Sequence, residues 1–220
     1  MSGELFRQSS IQEAIAALKE DLLLDDGPRI STMRNYSFAI LPYNPSEEFA
    51  LRAEVRKLSH ELIAGGWAVR SISLRELLMR RLRGLSEEHR AQIVMMEQAF
   101  TQMGKANPSF DGLERSLTYL QEQIIHDIEG PQGLAQDVVD IIQQHCAEHP
   151  EQADRMVVLI GRAGALYPFF RSSALLRHIA NKTNNVPVVL LYPGTRQGKT
   201  GLSFMGVLKP DSDYRPRIYP

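Results

Sequence analysis

Three short stretches carry residue types that could bind or react: Pro42-Tyr43-Asn44, Gly161-Arg162-Ala163-Gly164 and Tyr192-Pro193-Gly194. Each closes an apolar run that reads as a strand. Each therefore falls where doubly wound sheets bind ligands, beyond the carboxyl ends of the strands. Glycine there permits close backbone approach, and Arg162 with Arg171 suits an anion near a helix N-terminus. Aromatic rings and arginines are also the usual anchors of protein interfaces. Tyr43, Arg162, Tyr167, Arg171 and Tyr192 are thus the candidates for partner or anion binding. A plainer reading stays open, in which Gly and Pro only turn the chain and the tyrosines pack.

Other motifs carry less. Gly194-Thr-Arg-Gln-Gly198-Lys199-Thr200 approaches a phosphate-binding P-loop. It lacks one of the four residues that the motif places before Gly-Lys-Ser/Thr. A P-loop must also open a helix, and Gly201-Leu-Ser-Phe-Met-Gly-Val-Leu208 reads as strand, so Thr195–Thr200 is expected to be an exposed basic loop. His145 and His149, four residues apart, could hold zinc on a helix face, but no third ligand stands at a set spacing and Pro150 ends the helix. Arg75, Arg80, Arg81, Arg83 and Arg90 could meet phosphate. Glu87 and Glu88 interrupt them, and a solvated helix face is the expectation. No Gly-x-Ser-x-Gly elbow, His-Glu-x-x-His or Cys-x-x-Cys occurs. The residues therefore argue for no enzyme, no metal and no cofactor.

The elements that must position these residues follow from periodicity. Met156–Ile160 and Val186–Leu191 are purely apolar, as strands covered on both faces are, and a helical pattern ending near Ala180 lies between them. Pro168 fits the first turn of that helix. Strand, helix, strand makes a parallel βαβ unit with a right-handed crossover. Tyr36–Leu41, stopped by Pro42, a helix capped by Ser46 and carrying Leu51, Val55, Leu58 and Leu62, and Trp67–Ile72 make another. Ser10-Ile-Gln-Glu13 and Ser73-Leu-Arg-Glu76 are capping boxes. The first opens a helix within residues 1–30 that packs on the chain or reaches a partner as an arm. Leu74–His149 is almost all helical pattern and reads as a block of two or three long helices. Leu202–Leu208 and Tyr214–Tyr219 are short β-like segments, and the short link from Leu191 implies an antiparallel return. The fold class is α/β: a three-layer sandwich with a mostly parallel, mixed sheet, a helical insertion between strands 2 and 3, and antiparallel C-terminal strands, within one domain spanning 1–220.

The bulk numbers suit that class. The 220 residues are 43% hydrophobic and 23% charged, with a formal net charge of −1, so no global bias toward nucleic acid or anionic membrane exists. The single Cys146 precludes an intrachain disulfide and suits a reducing cytoplasm. No apolar stretch approaches the roughly 20 residues of a membrane span, and MSGELFRQSS is not patterned as a secretory signal. A cytoplasmic protein is expected.

The stretch Val158-Leu-Ile-Gly-Arg-Ala-Gly-Ala-Leu-Tyr-Pro-Phe-Phe-Arg171 resembles the BrxB family of bacteriophage-exclusion (BREX) systems, which carries Gly-x-Gly-Ala-x-Tyr-Pro-Phe-x-Arg after a buried strand. Pro187-Val-Val-Leu-Leu-Tyr-Pro-Gly194, Leu202-Ser-Phe-Met-Gly-Val-Leu-Lys209, Tyr214-Arg215 and the earlier Phe38-Ala-Ile-Leu-Pro-Tyr-Asn-Pro45 extend the likeness from Tyr36 to the end. Gly161-Arg-Ala-Gly164 is one residue wider than the family pattern, and the loop after Gly194 is basic where relatives tend to be acidic or amide. The resemblance implies a non-catalytic accessory protein of an antiphage system. Its implied partners are PglZ, an alkaline-phosphatase-like protein, and other components, among them an AAA-type ATPase and an adenine-specific DNA methyltransferase. Other readings are a degenerate nucleotide- or anion-binding protein using the strand-end loops, and a DNA-contacting adaptor, although direct nucleic-acid binding is not expected.

Overall fold

The computed structural model describes residues 10–30, 37–197, 201–208 and 216–220. In chain order the elements are α1 (Ile11–Leu22), β1 (Phe38–Tyr43), α2 (Glu48–Ala64), β2 (Ala68–Ser73), α3 (Leu74–Gly84), α4 (Glu87–Ala106), α5 (Gly112–Glu129), α6 (Leu134–Glu148), β3 (Met156–Gly161), α7 (Ser172–Ile179), β4 (Val188–Gln197), β5 (Gly201–Phe204) and β6 (Arg217–Ile218). The sheet order is β2-β3-β4-β1-β6, with β5 paired to β4. Strands β1, β2, β3 and β4 are parallel in one sheet, and β5 runs antiparallel to β4, as the sequence implied. The C-terminal strand differs from expectation, because β6 is parallel to β1 and closes the far edge. Tyr36 and Tyr214 lie outside the described residues.

Topology decides how the two faces are covered. The chain leaves β1, passes β4 and β3 to reach the edge at β2, then returns through β3 to β4. Right-handed crossovers in opposite directions lie on opposite faces. Helix α2, which makes the outward step, therefore lies with α1 on one face, where Leu18, Leu22, Leu51, Leu58 and Leu62 bury against Leu41, Leu159 and Val189. Helices α3, α5, α6 and α7 make the return and cover the other face, packing on Ile40, Val158, Ile160, Val188 and Leu190. Helix α4 has no buried residue and rides on α5. The two approach so closely at Gly112 that a Cβ there would sit 2.3 Å from the Phe100 carbonyl oxygen.

Local chemistry accounts for the boundaries. Ser10 and Glu13 form the complete capping box of α1, and Lys19 pairs with Glu61 of α2 at 2.7 Å, so this helix packs on its own chain. Asn44, not Ser46, takes the capping role after β1, accepting from the Ser46 amide ahead of a 3₁₀ turn at Pro45–Glu47. Proline does not stop β1 at residue 42. The Ile40 carbonyl faces β6, where it accepts from Tyr219, so Pro42 faces the same side two residues on, beyond the end of that short strand. Its missing N–H costs no ladder bond there.

The helical block holds four helices instead of two or three, because every break ends one and Ser86 and Asp111 cap the next. Pro168 is not in the first turn of α7. Tyr167 and Arg171 are extended, the residue before proline is biased that way, and the chain stays unwound while Phe170 sinks into the core.

Candidate functional site

Strand register separates the five candidates. Pro42 lies opposite Tyr192 and Tyr43 opposite Pro193, so Tyr43 and Tyr192 project to opposite faces although their strands are neighbours. Tyr43 is buried on the α1/α2 face and Tyr192 on the other. Arg162 joins Tyr43. It occupies a left-handed conformation at φ 62°, in the turn leaving β3, which costs a non-glycine residue about 1–2 kcal/mol. Its Nη1 lies 3.1 Å from Glu48 Oε1, and the Tyr43 hydroxyl donates to Glu48 Oε2. Burial, reinforced by the hydrogen bond and negative charge of Glu48, pushes the Tyr43 phenol far above its ordinary value, against an opposing pull from Arg162.

The remaining candidates sit elsewhere. Tyr192 is 1% exposed and meets Phe204 edge-on at 5.4 Å, Phe170 lies 5.5 Å from the same ring, and Tyr167 stacks on it at 6.4 Å from its outer side. Gly194 serves this packing: a Cβ there would lie 2.2 Å from the Ser203 carbonyl oxygen, so the backbone it admits is that of β5. Arg171 stands apart, with its Nε 3.7 Å from Glu129 Oε1, an ion pair too long for a hydrogen bond. Burial raises the Glu129 carboxyl above its usual range, and Arg171 and Arg177 pull it back.

A second cluster repeats the first in kind. The Tyr219 hydroxyl donates to Asp21 Oδ2 at 2.8 Å, Arg217 reaches the same oxygen at 2.7 Å, and its guanidinium lies 4.9 Å from the Tyr219 ring centre. Burial, with Asp21 beside it, raises this phenol as well, again opposed by an arginine. One tyrosine–carboxylate–arginine clamp fastens α1 and the other fastens the start of α2. Neither Glu48 nor Asp21 stands out in the sequence, since each reads as an ordinary helix acid. Beside α2, over β2 and β3, opens a cleft of about 540 Å³ whose lining includes Glu48, Val55, Ser71 and Arg162.

The other motifs are placed as follows. Strand β4 runs through Gln197 and β5 begins at Gly201, so strand stands where a P-loop requires a helix; Lys199 lies outside the described residues. The rings of His145 and His149 are 4.9 Å apart, and His149 Nδ1 is 3.6 Å from Glu151. Among the described residues no three His, Cys, Asp or Glu are arranged to hold a metal ion. The arginine run is not simply a solvated face. Arg81 turns inward to Asp137 at 2.6 Å, Asp127 at 3.0 Å and the carbonyls of Gln132 and Gly133, because the end of α5, the start of α6 and the turn between them present acceptors to it. Arg90 donates to the carbonyls of Arg83 and Leu85 at the end of α3. Among the described residues no helix is long and apolar enough to cross a membrane.

Fold and site together define a doubly wound α/β protein whose strand-end carboxylate is held by the chain's own tyrosine and arginine. A family model described as "BREX protein BrxB" matches residues 70–218, and the chain belongs to that family. It is also similar to "BREX protein BrxB" of Bacillus cereus (strain H3081.97), 30% identical over 76 residues that cover 34% of this chain and 38% of that protein. No solved structure matches.

Proposed function

We propose that this protein is a non-catalytic scaffold of a BREX antiphage defence system, acting in the cytoplasm and holding other components, PglZ first among them. Membership of the BrxB family supports the system. The observation that carries the scaffold reading is Glu48. Its carboxylate fills the strand-end position between the Tyr43 hydroxyl and Arg162, so an anionic substrate there would have to displace it. A carboxylate already held by two partners competes with any incoming anion for them. The same fact weighs against the nucleotide- or anion-binding reading.

The test is direct binding of the purified full chain to PglZ, the AAA-type ATPase and the methyltransferase, each presented alone. Retention of PglZ, with no nucleotide hydrolysis by the chain itself, is the expected result. Hydrolysis by homogeneous protein that disappears in Lys199→Ala, or failure to retain any component, would sink the reading.

A further inference from the structure

Among the described residues, the α1/α2 face is one helix short. A helix is about 10 Å across and strands lie about 4.8 Å apart, so each helix covers about two strands. Two helices over the order β2-β3-β4-β1-β6 leave the β2 edge bare, and the cleft lies there. Val69 and Ser71 of β2 stand in register with Val157 and Leu159, so they face the same side, yet Val69 is only half-buried and Ser71 is exposed. The facing wall is one stripe of α2, with Val55, Ser59 and Ile63 at helical spacing, and Ile63 is 55% exposed.

The charge around this apolar strip is positive. Arg52 and Arg56 border it on α2, and among the described residues neither meets a carboxylate; Arg70 of the edge strand, in register with Val158, faces the other side of the sheet. Of the acids lining the cleft, Glu48 is committed to Tyr43 and Arg162, and Glu76 lies at the far end beside Ser73. Arg70, at mid-strand, is the kind of charge that discourages another strand from pairing at an edge. The bare face next to α2 therefore suits a helix better than the bare edge suits a strand.

We propose that this cleft docks an acidic amphipathic helix of another system component, which covers the bare edge of the layer; the identity of the donor rests on the scaffold reading. The β2 strand is about 20 Å long, which a helix of about 13 residues matches. Leucine-type residues on one face would fill the strip between Val55, Ile63 and Val69. Glutamates or aspartates flanking them would meet Arg52 and Arg56.

Two arms test this. In the first, a stapled helix of about 14 residues with leucines at i, i+3, i+4 and i+7 and glutamates elsewhere is titrated into the full chain, beside a twin with lysines in place of glutamates. The acidic helix should bind about tenfold or more tighter than the twin and slow amide exchange in α2 and β2, and the double variant Arg52→Glu, Arg56→Glu should reverse the preference. Both arginines are exposed, so thermal unfolding of the variant should match the parent. Equal binding of the twins, no binding, or protection elsewhere overturns the proposal. Protection of α2 and β2 that grows with protein concentration alone places a second copy there and also overturns it. In the second arm PglZ is titrated against parent and double variant, with about a tenfold loss expected. Undiminished PglZ binding overturns the cleft and leaves the scaffold reading standing. Selective binding of the acidic helix with no component captured sustains the cleft and sinks the scaffold reading.

Discussion

On the face covered by α3, α5, α6 and α7, apolar side chains meet in one continuous cluster that runs from Leu74 through Val138 and Ile160 to Phe204. On the face covered by α1 and α2 the cluster is smaller, and each helix is also fastened by a tyrosine–carboxylate–arginine clamp. The difference follows from the reversal of the chain at β2, which sends nearly all later helices to one side. Where helices are plentiful, a broad apolar cluster holds the layer, with Arg81 tying α3 to α5 and α6. Where they are few, directional polar contacts fix the helices in place and a slot stays open beside them.

The largest expected contrast comes from matched truncations. Leu190→Ala, on the closed face at 0% exposure, should cost about 2–5 kcal/mol, whereas Ile63→Ala in the cleft should stay within about 0.5 kcal/mol in denaturant unfolding. A cost at Ile63 comparable to that at Leu190 would show the open face to be closed in solution.

Arginines supply the next contrast. Arg81→Ala strands two partly buried aspartates and should destabilise by about 2 kcal/mol, while Arg162→Ala should cost about 1 kcal/mol or less, since its ion pair is more exposed and its left-handed strain is shared by alanine. The same unfolding curves decide it, and a reversed order would make the strand-end clamp the stronger fastening.

The smallest effect is a pH dependence confined to the open face. Both clamp phenols are raised above the ordinary 10.0, so above about pH 10 the unfolded chain loses those protons while the folded chain keeps them. Stability contributed by Tyr43 and Tyr219 is complete below pH 10 and falls as pH rises beyond it. Tyr43→Phe with Tyr219→Phe should flatten that fall above about pH 10, where a normal phenol ionises. An unchanged alkaline slope in the double variant would place the responsible groups on the closed face.

Much of this was legible in local pattern. Apolar runs at Met156–Ile160 and Val186–Leu191 required strands covered on both sides, and their spacing required a parallel crossover. The capping sequence at Ser10 and the glycine and proline breaks near Gly84, Asn107 and Gly130 marked where helices begin and end. These signals are short-range, because hydrogen-bond geometry and side-chain periodicity act within a few residues.

What only the tertiary structure decided depends on which strands become neighbours and in what register. A one-residue offset sends Tyr43 and Tyr192 to opposite faces, a distinction that no count of residue types contains. Glu48 meets Arg162 across 114 positions, and Arg81 meets Asp137 across 56, through contacts that exist only once the sheet order is set. The cleft beside α2 has the same origin. Every residue around it is ordinary in sequence, and the space is left by a chain that turned back at β2 and took its remaining helices to the other side.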